Sequence, residues 1–387
     1  MSIGCDFLVI GAGISGAAAA AELARHGRVI VLEAESRPGY HSTGRSAALF
    51  TPNYGNRLVR TLVGAGRSFF TTPPAGFSET PLLRPRGELA FAGADARLAL
   101  DELLALSRPG DEIEEITPAR ALDLVPALRR EAVVFASYER GVWDMDVAAI
   151  HQGFLRGLSK RGGEVICDAR VEALDYRAGK WQATAGGKTY AAPVVVNAAG
   201  AWADEVGRLA GARAIGLTPK RRTAMLVDGP ADADCSAWPM VYELGLDRYE
   251  CYFKAEAGTL MLSPGDATPT PPCDAAPEEL DIAIAVDWLE RVSHIRVRHL
   301  RRKWAGLRSF VADDAPVVGF DPDAEGFVWL AGQGGYGIML SPTLGRAVAE
   351  LVTSGDLPAD LRALGLSRDS LSPLRLAVLA GAKAASE

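Results

Sequence analysis

The chain has 387 residues, 48% of them hydrophobic and 23% charged, with a net charge of −7. That is an ordinary globular composition, long enough for two cores, and its acidic balance argues against a nucleic-acid partner, whose phosphates call for a basic surface. Five scattered cysteines (Cys5, Cys167, Cys235, Cys251 and Cys273) with no C-x-x-C pair argue against a disulfide scaffold or a metal site and fit a reducing, cytoplasmic compartment.

The chain opens on Asp6-Phe7-Leu8-Val9-Ile10, an apolar run of strand type that meets Gly11-Ala12-Gly13-Ile14-Ser15-Gly16 without a spacer. An alanine-rich helical run follows over 17–24, His26-Gly27 stops it, and residues 28–32 read as a second buried strand ending on Glu33. Strand, glycine turn, helix and parallel strand, in that order, make a dinucleotide-binding unit. Gly11 permits the tight turn, Gly13 lets backbone approach a pyrophosphate, and Gly16 lets the helix pack close to the strand. Glu33 lies near the spacing expected of an acid that accepts hydrogen bonds from ribose hydroxyls. The stretch 7–24 does not read as a signal peptide or anchor: no Lys or Arg precedes it, glycines interrupt it and Glu22 falls inside it. No other run approaches span length, so the chain is not expected to be an integral membrane protein.

A turn-rich connection over 34–40 leads into His41-Ser42-Thr43-Gly44-Arg45-Ser46-Ala47-Ala48, dense in hydrogen-bond donors. It fits either a wrap around phosphates and a flavin edge or a polar loop opening a helix. Prolines at 73, 74, 81, 85, 109, 118 and 126 break residues 50–140, which predicts few long elements: a strand over 86–91 and helices over 95–106 and 118–124. This segment reads as an inserted cap. A helix over 147–161, a strand over 164–167 and antiparallel strands over 170–176 and 181–185 come next. A buried strand over 193–197 then enters Ala198-Ala199-Gly200-Ala201, a second place where backbone approaches a cofactor. Over 217–304, short strands at 223–227, 240–242, 249–254 and 259–262 and a helix at 281–292 predict a twisted antiparallel sheet with a flanking helix. A strand over 327–331 meets Gly332-Gln333-Gly334-Gly335-Tyr336-Gly337-Ile338, and a helix is expected over 341–352. Those glycines suit backbone lying against a planar ring, with amides turned to a carbonyl or a developing charge. The small, apolar tail from 371 is assigned no role.

Residues 7–33, 41–48, 195–204 and 332–338 resemble the FAD-dependent D-amino-acid oxidase and glycine oxidase superfamily. Gly39 through Ala48, His151-Gln152-Gly153-Phe154-Leu155-Arg156-Gly157, Pro219-Lys220-Arg221-Arg222, Trp304 through Asp313, and Gln333 through Ile338 are similar, closer still, to the bacterial D-arginine dehydrogenase group. The resemblance implies an α/β fold: a discontinuous Rossmann-like FAD-binding domain (1–49, 142–216 and 305–387) and an α+β substrate-binding domain (50–141 and 217–304). It implies non-covalent FAD, touched by Ser15, Glu33, Ala34, Ser42 through Ala48, Leu49, Val171 and Gly335, Tyr336, Gly337 and Ile338. It further implies hydride transfer from the Cα of a D-amino acid to flavin N5, giving an imino acid that hydrolyses to a 2-oxo acid and ammonia.

By the same resemblance Arg222 and Arg308 clamp the substrate carboxylate, as planar guanidinium forks do, Tyr54 and Tyr252 assist, and Gly335 stands at the reacting end. Read from residues alone, Arg222 fits equally a surface basic cluster with Lys220 and Arg221, and either tyrosine fits ordinary packing. Glu88, with Thr51 as its polar neighbour, matches the acid that pairs with a basic substrate side chain, which favours D-Arg and D-Lys; its alternative is an exposed strand-edge glutamate. Two positions depart from the group: Leu49 stands where it has His, and Met339 where it has Gln. Other readings are an oxidoreductase of glycine, an N-methyl amino acid or a 2-hydroxy acid, and an inactive flavin-binding protein. The electron acceptor, whether quinone, electron-transfer protein or dioxygen, is open at this stage.

Overall fold

The computed structural model describes residues 2–230, 233–246 and 250–376. The short apolar runs assemble into a six-stranded sheet in the spatial order Glu164–Ile166, Val29–Leu32, Phe7–Ile10, Val194–Asn197, Phe327–Ala331 and Val317–Phe320. The first five are mutually parallel and the last is antiparallel. Every residue of Phe7–Ile10 and Val29–Leu32 is buried, as strands covered on both faces must be. One face carries the helices Ile14–Leu23, Val147–Ser159 and Gly337–Ser354. The other packs on a four-stranded sheet of Ile3–Gly4, Lys188–Ala192, Lys180–Ala185 and Val171–Arg177, through Trp181, Ala183 and Tyr190. The alanines of Ile14–Leu23 keep that helix thin. Helix Gly337–Ser354 lies so close that a Cβ on Gly345 would fall 2.9 Å from the Ala18 backbone.

A nine-stranded sheet stands beside this layer. It runs Thr268–Pro269, Thr218–Asp228, Thr259–Ser263, Tyr252–Glu256, Met240–Glu243, Glu88–Ala92, Phe135–Glu139, Ile113–Ile116, with Leu300–Phe310 paired along Thr218–Asp228. All junctions are antiparallel except that of Met240–Glu243 with Glu88–Ala92, which is parallel. Because strand side chains alternate, one face is apolar: Leu89, Phe91, Met225, Val227, Val241, Phe253, Leu260 and Leu262 pack under the helices Glu279–Val292 and Pro118–Leu124. The opposite face receives Ala224, Ser263, Tyr252, Tyr242, Glu88 and Glu139, as the registers Tyr252↔Ser263, Tyr242↔Tyr252, Met240↔Glu88 and Glu88↔Glu139 require. Arg222, two residues before Ala224, shares that face. A three-stranded sheet of Leu49–Phe50, Trp143–Met145 and Leu83–Pro85 completes the strands among the described residues.

Three differences from the expected elements have clear causes. The proline-broken segment contains a 15-residue helix, Arg57–Thr71, because its prolines flank rather than interrupt the run; Asn56 caps it by accepting from the Val59 amide at 3.0 Å, and Val59, Leu62, Val63 and Phe70 turn inward. The strand expected over 223–227 spans Thr218–Asp228, because its long partner Leu300–Phe310 pairs along it from Thr218 to Val227. The helix expected from 341 begins at Gly337. Pro342 has no amide to give the Ile338 carbonyl, and the Ser341 hydroxyl donates to it instead at 2.8 Å, so the helix continues through the proline. Tyr249, expected to open a strand, and residues 377–387 of the tail lie outside the described residues.

Candidate active site

Where the strands of the smaller sheet end, their carboxyl termini face the polar side of the larger one across a cavity of about 370 Å³. Phe7–Ile10 and Val194–Asn197 both turn at this point, the usual place for a ligand in an open parallel sheet. Gly11 turns at φ +97°, and a Cβ there would meet the Ala198 carbonyl oxygen at 2.5 Å; one on Gly16 would lie 1.9 Å from the Gly11 oxygen. Side chains are thus excluded where strand, turn and helix converge. Gly13 caps helix Ile14–Leu23 with no side-chain bond, so the positive end of the helix opens on the cavity, and Thr43 Oγ1 takes only the Ile14 amide at 3.0 Å. Glu33 is fixed by two amides, Ala12 at 2.8 Å and Glu35 at 3.0 Å.

These residues fit a dinucleotide: an unobstructed helix terminus for phosphates, an anchored carboxylate for hydroxyls, and a glycine turn a Cβ would fill. Gly11, Gly13, Ser15, Glu33, Ala34, Ser42, Thr43, Arg45, Ser46, Ala47, Val171, Gly200, Gly335, Gly337 and Ile338 all line the cavity. Gly16, Gly44, Ala48, Leu49 and Tyr336 are not in its lining. Gly44 packs under the Gly39 carbonyl, and Leu49 sits in a strand opposite Asp144. Residue patterns alone did not single out two contributors. Buried His151 donates through Nε2 to the Ala12 carbonyl at 2.9 Å, steadying the glycine turn, and burial lowers its pKa, which favours the neutral ring. Trp202 lines the cavity against His41, with ring centroids 4.7 Å apart, while His41 pairs with Glu35 at 2.9 Å. Both lie in stretches that carry the family resemblance, His151 in 151–157 and Trp202 in 195–204, but residue type and spacing assign neither of them a role at the cavity.

Arg222, Tyr252 and Arg308 line the other end, beside Gly334 and Gly335. The basic run over 220–222 divides by strand alternation. Arg221 turns away into a network with Asp266, Glu278 and Asp281, while Lys220 lies over the Phe310 ring at 4.8 Å. Arg222 points into the cavity, its Nε donating to the Asp266 carbonyl at 2.7 Å. Burial, then the nearby Arg308, lowers its pKa. Burial also works against the charge on Arg308, but Tyr252 and Tyr54, with the more distant carboxylates of Glu250 and Asp266, together outweigh it and raise the pKa. Tyr252 is pushed up by burial, yet the two arginines prevail and bring it below the usual phenol. Two guanidiniums and a phenol with no carboxylate partner among the described residues form an anion site.

Tyr54, Thr51 and Glu88 are not brought into the cavity lining. Tyr54 is 40% exposed, packs edge-on against Tyr336 at 5.3 Å and acts electrostatically on both arginines. Thr51 directs its amide (3.3 Å) and hydroxyl (3.6 Å) to the Met339 sulfur. Glu88 stands two strands from Tyr252 with Tyr242 between them, and burial pushes its carboxyl up to about 7.

Among the described residues no helix is long and apolar enough to cross a membrane, and no His, Cys, Asp and Glu cluster is arranged to hold a metal ion. The sequence is similar to the glycine oxidase of Geobacillus kaustophilus, 26% identical over 94% of this chain and 97% of that one. The fold is shared with L-proline dehydrogenase from P. horikoshii (TM-score 0.82, 21% identity, 97% and 98% of the two chains). It is shared also with L-α-glycerophosphate oxidase from Mycoplasma pneumoniae with FAD bound (TM-score 0.81, 17% identity, 90% and 94%). Residues 6–351 match the family model described as DAO, FAD dependent oxidoreductase. With the glycine turn, the anchored Glu33 and the open helix terminus in one cavity, the chain belongs to the DAO family of FAD-dependent oxidoreductases.

Proposed function

We propose that this enzyme oxidises D-amino acids, with a preference for basic ones such as D-Arg and D-Lys. The observation that carries the reading is the anion site of Arg222, Arg308 and Tyr252 inside the cofactor cavity. Two like charges brought together in a buried place repel unless an anion joins them, and a carboxylate matches guanidinium forks bidentately. The glycine turn, the open helix terminus and Glu33 would hold FAD non-covalently, and that cofactor would supply the hydride-accepting chemistry for the substrate Cα. The chain's own residues hold the carboxylate with the two arginines and the Tyr252 hydroxyl, while Tyr54, outside the lining, acts electrostatically on both arginines. No side-chain base is needed when the amine arrives neutral, and the imino acid released hydrolyses in water to a 2-oxo acid and ammonia.

Glu88 supports the basic preference. Tyr252 and Glu88 share one sheet face two strands apart, about 10 Å between backbones, a separation that a long side chain ending in a cation matches as it passes Tyr242. A neutral substrate would leave this buried carboxyl without a counter-charge. A second reading, oxidation of glycine or a sarcosine-like amine, is favoured by the similarity to glycine oxidase. The five unpaired cysteines support a cytoplasmic location. Anaerobic mixing of the yellow holoenzyme with a panel of D-amino acids, glycine and sarcosine tests the reading. Bleaching fastest with D-Arg or D-Lys is the expected result; bleaching only by glycine or sarcosine would replace it with the second. Repeating the experiment in air identifies or excludes dioxygen as the acceptor.

A further inference from the structure

The polar row on the larger sheet does not stop at Glu88. Glu139 lies directly opposite it on the neighbouring antiparallel strand, so both side chains leave the same face, with Cβ atoms about 5 Å apart. Glu139 is only 5% exposed and accepts from Asn53 Nδ2 at 3.0 Å. Asn53, 4% exposed, spends its other amide hydrogen on the Asp111 carbonyl at 2.9 Å, and its Oδ1 has no partner among the described residues. An acceptor buried without a donor costs about 1–3 kcal/mol. The Asp111 carboxylate is already engaged, by Arg67 and by Arg108 at 3.1 Å. No ion pair reaches Glu88 or Glu139 among the described residues. Buried Glu139, half-buried Glu88 and an unpartnered amide oxygen, with the nearby Arg108 already committed to Asp111, call for a ligand rich in N–H groups. An anion would be repelled and an apolar group would satisfy none of them, whereas a guanidinium brings five donors and an ammonium three.

We propose that Glu139 and Asn53 join Glu88 in a subsite for the cationic end of a basic amino-acid substrate, Glu139 supplying its second carboxylate. This rests on the amino-acid reading above and extends it to named residues. The groups facing the pair are the Tyr242 hydroxyl beside Glu88, Asn53, Asp111 and Arg108 near Glu139, and Glu250 near Tyr242; only Arg108 is cationic, and it is bonded to Asp111. Burial raises Glu88 to about 7, and burial with repulsion from Glu88 raises Glu139 to about 8. At lower pH the empty pair therefore holds protons, and an entering cation displaces them to solvent. Cation binding strengthens as pH rises through this window.

The test compares wild type, Glu139→Gln and Glu139→Asp holoenzymes with D-Arg and D-Met, and measures binding of butylguanidine, a cation with no carboxylate. The Gln variant keeps an oxygen for Asn53, so FAD content and Tm are expected to hold. KM for D-Arg should rise at least about tenfold with kcat little changed, the D-Met constants should stay put, and the Asp variant should recover part of the loss. In wild type the D-Arg to D-Met ratio of kcat/KM should climb with pH, and in Glu139→Gln it should flatten. Butylguanidine should bind wild type and be weakened about tenfold by Glu139→Gln. Loss of that binding in an enzyme that oxidises no D-amino acid would uphold the subsite and overturn the reaction assigned above. Equal butylguanidine binding by wild type and Glu139→Gln, or none by wild type, would overturn the subsite while leaving D-amino-acid oxidation standing.

Discussion

Replacing Arg222 by Met removes one guanidinium of the anion site and keeps an unbranched stem of similar reach. In the folded chain this arginine is costly to keep: burial and Arg308 both work against its charge. Its Nε donates to the Asp266 carbonyl at 2.7 Å and its guanidinium also bonds the Tyr252 hydroxyl, and losing a charged hydrogen bond destabilises by about 1.5–3 kcal/mol. Relief of the buried like-charge contact offsets this, since apolar replacement of buried charges is often neutral or stabilising by about 1–4 kcal/mol. The Tm should therefore hold or rise. The substrate side behaves in the opposite way. Truncating one partner of a desolvated charge pair costs about 2–5 kcal/mol, so kcat/KM should fall by about 30-fold to about 5,000-fold. Anaerobic stopped-flow bleaching with D-amino acids measures the rate, and absorbance of the purified variant reports FAD content, which should not change. A variant that unfolds several degrees earlier yet reduces its flavin within about threefold of wild type would show Arg222 to be a structural residue, and the reasoning would be refuted.

Glu88→Leu should lower kcat/KM for D-Arg by about 100-fold or more and leave D-Leu nearly untouched; equal losses on both substrates would remove Glu88 from substrate selection. In Gly11→Ala the added methyl meets the Ala198 oxygen at 2.5 Å and the residue must hold φ +97°, so a loss of about 2–3 kcal/mol and pale, FAD-poor protein are expected. Full colour and an unchanged Tm would count against that turn geometry. Gly345→Val places atoms against the Ala18 backbone, 2.9 Å from where its Cβ falls, and should destabilise by about 1–3 kcal/mol in chemical denaturation, with no change in the substrate panel. A neutral result there would mean the two helices slide apart easily.

The nucleotide half of the cavity was legible because its determinants are local. Gly11, Gly13, Gly16 and Glu33 lie within one strand–turn–helix–strand unit, and spacing alone places them. The helix Arg57–Thr71 is hidden for an equally local reason, since prolines that flank an element look in sequence like prolines that break one. Arg221 and Arg222 are consecutive residues of one type, and nothing in composition says which faces the cavity. The register of Thr218–Asp228 against Leu300–Phe310 decides it, sending Arg221 into its carboxylate network and Arg222 toward Arg308. The same holds for Glu139, unremarkable in sequence until strand pairing sets it across from Glu88.

The sequence by itself determined the nucleotide-binding unit, the glycine positions and the identity of the apolar strands, because steric permission at a glycine and burial of an apolar run act over a few residues. The tertiary structure alone decided which arginines meet, which acids share a sheet face and that Thr51, Tyr54 and Glu88 stand outside the cavity lining. Those outcomes depend on the register between strands far apart in the chain, and a shift of one residue would turn every one of these side chains to the opposite face.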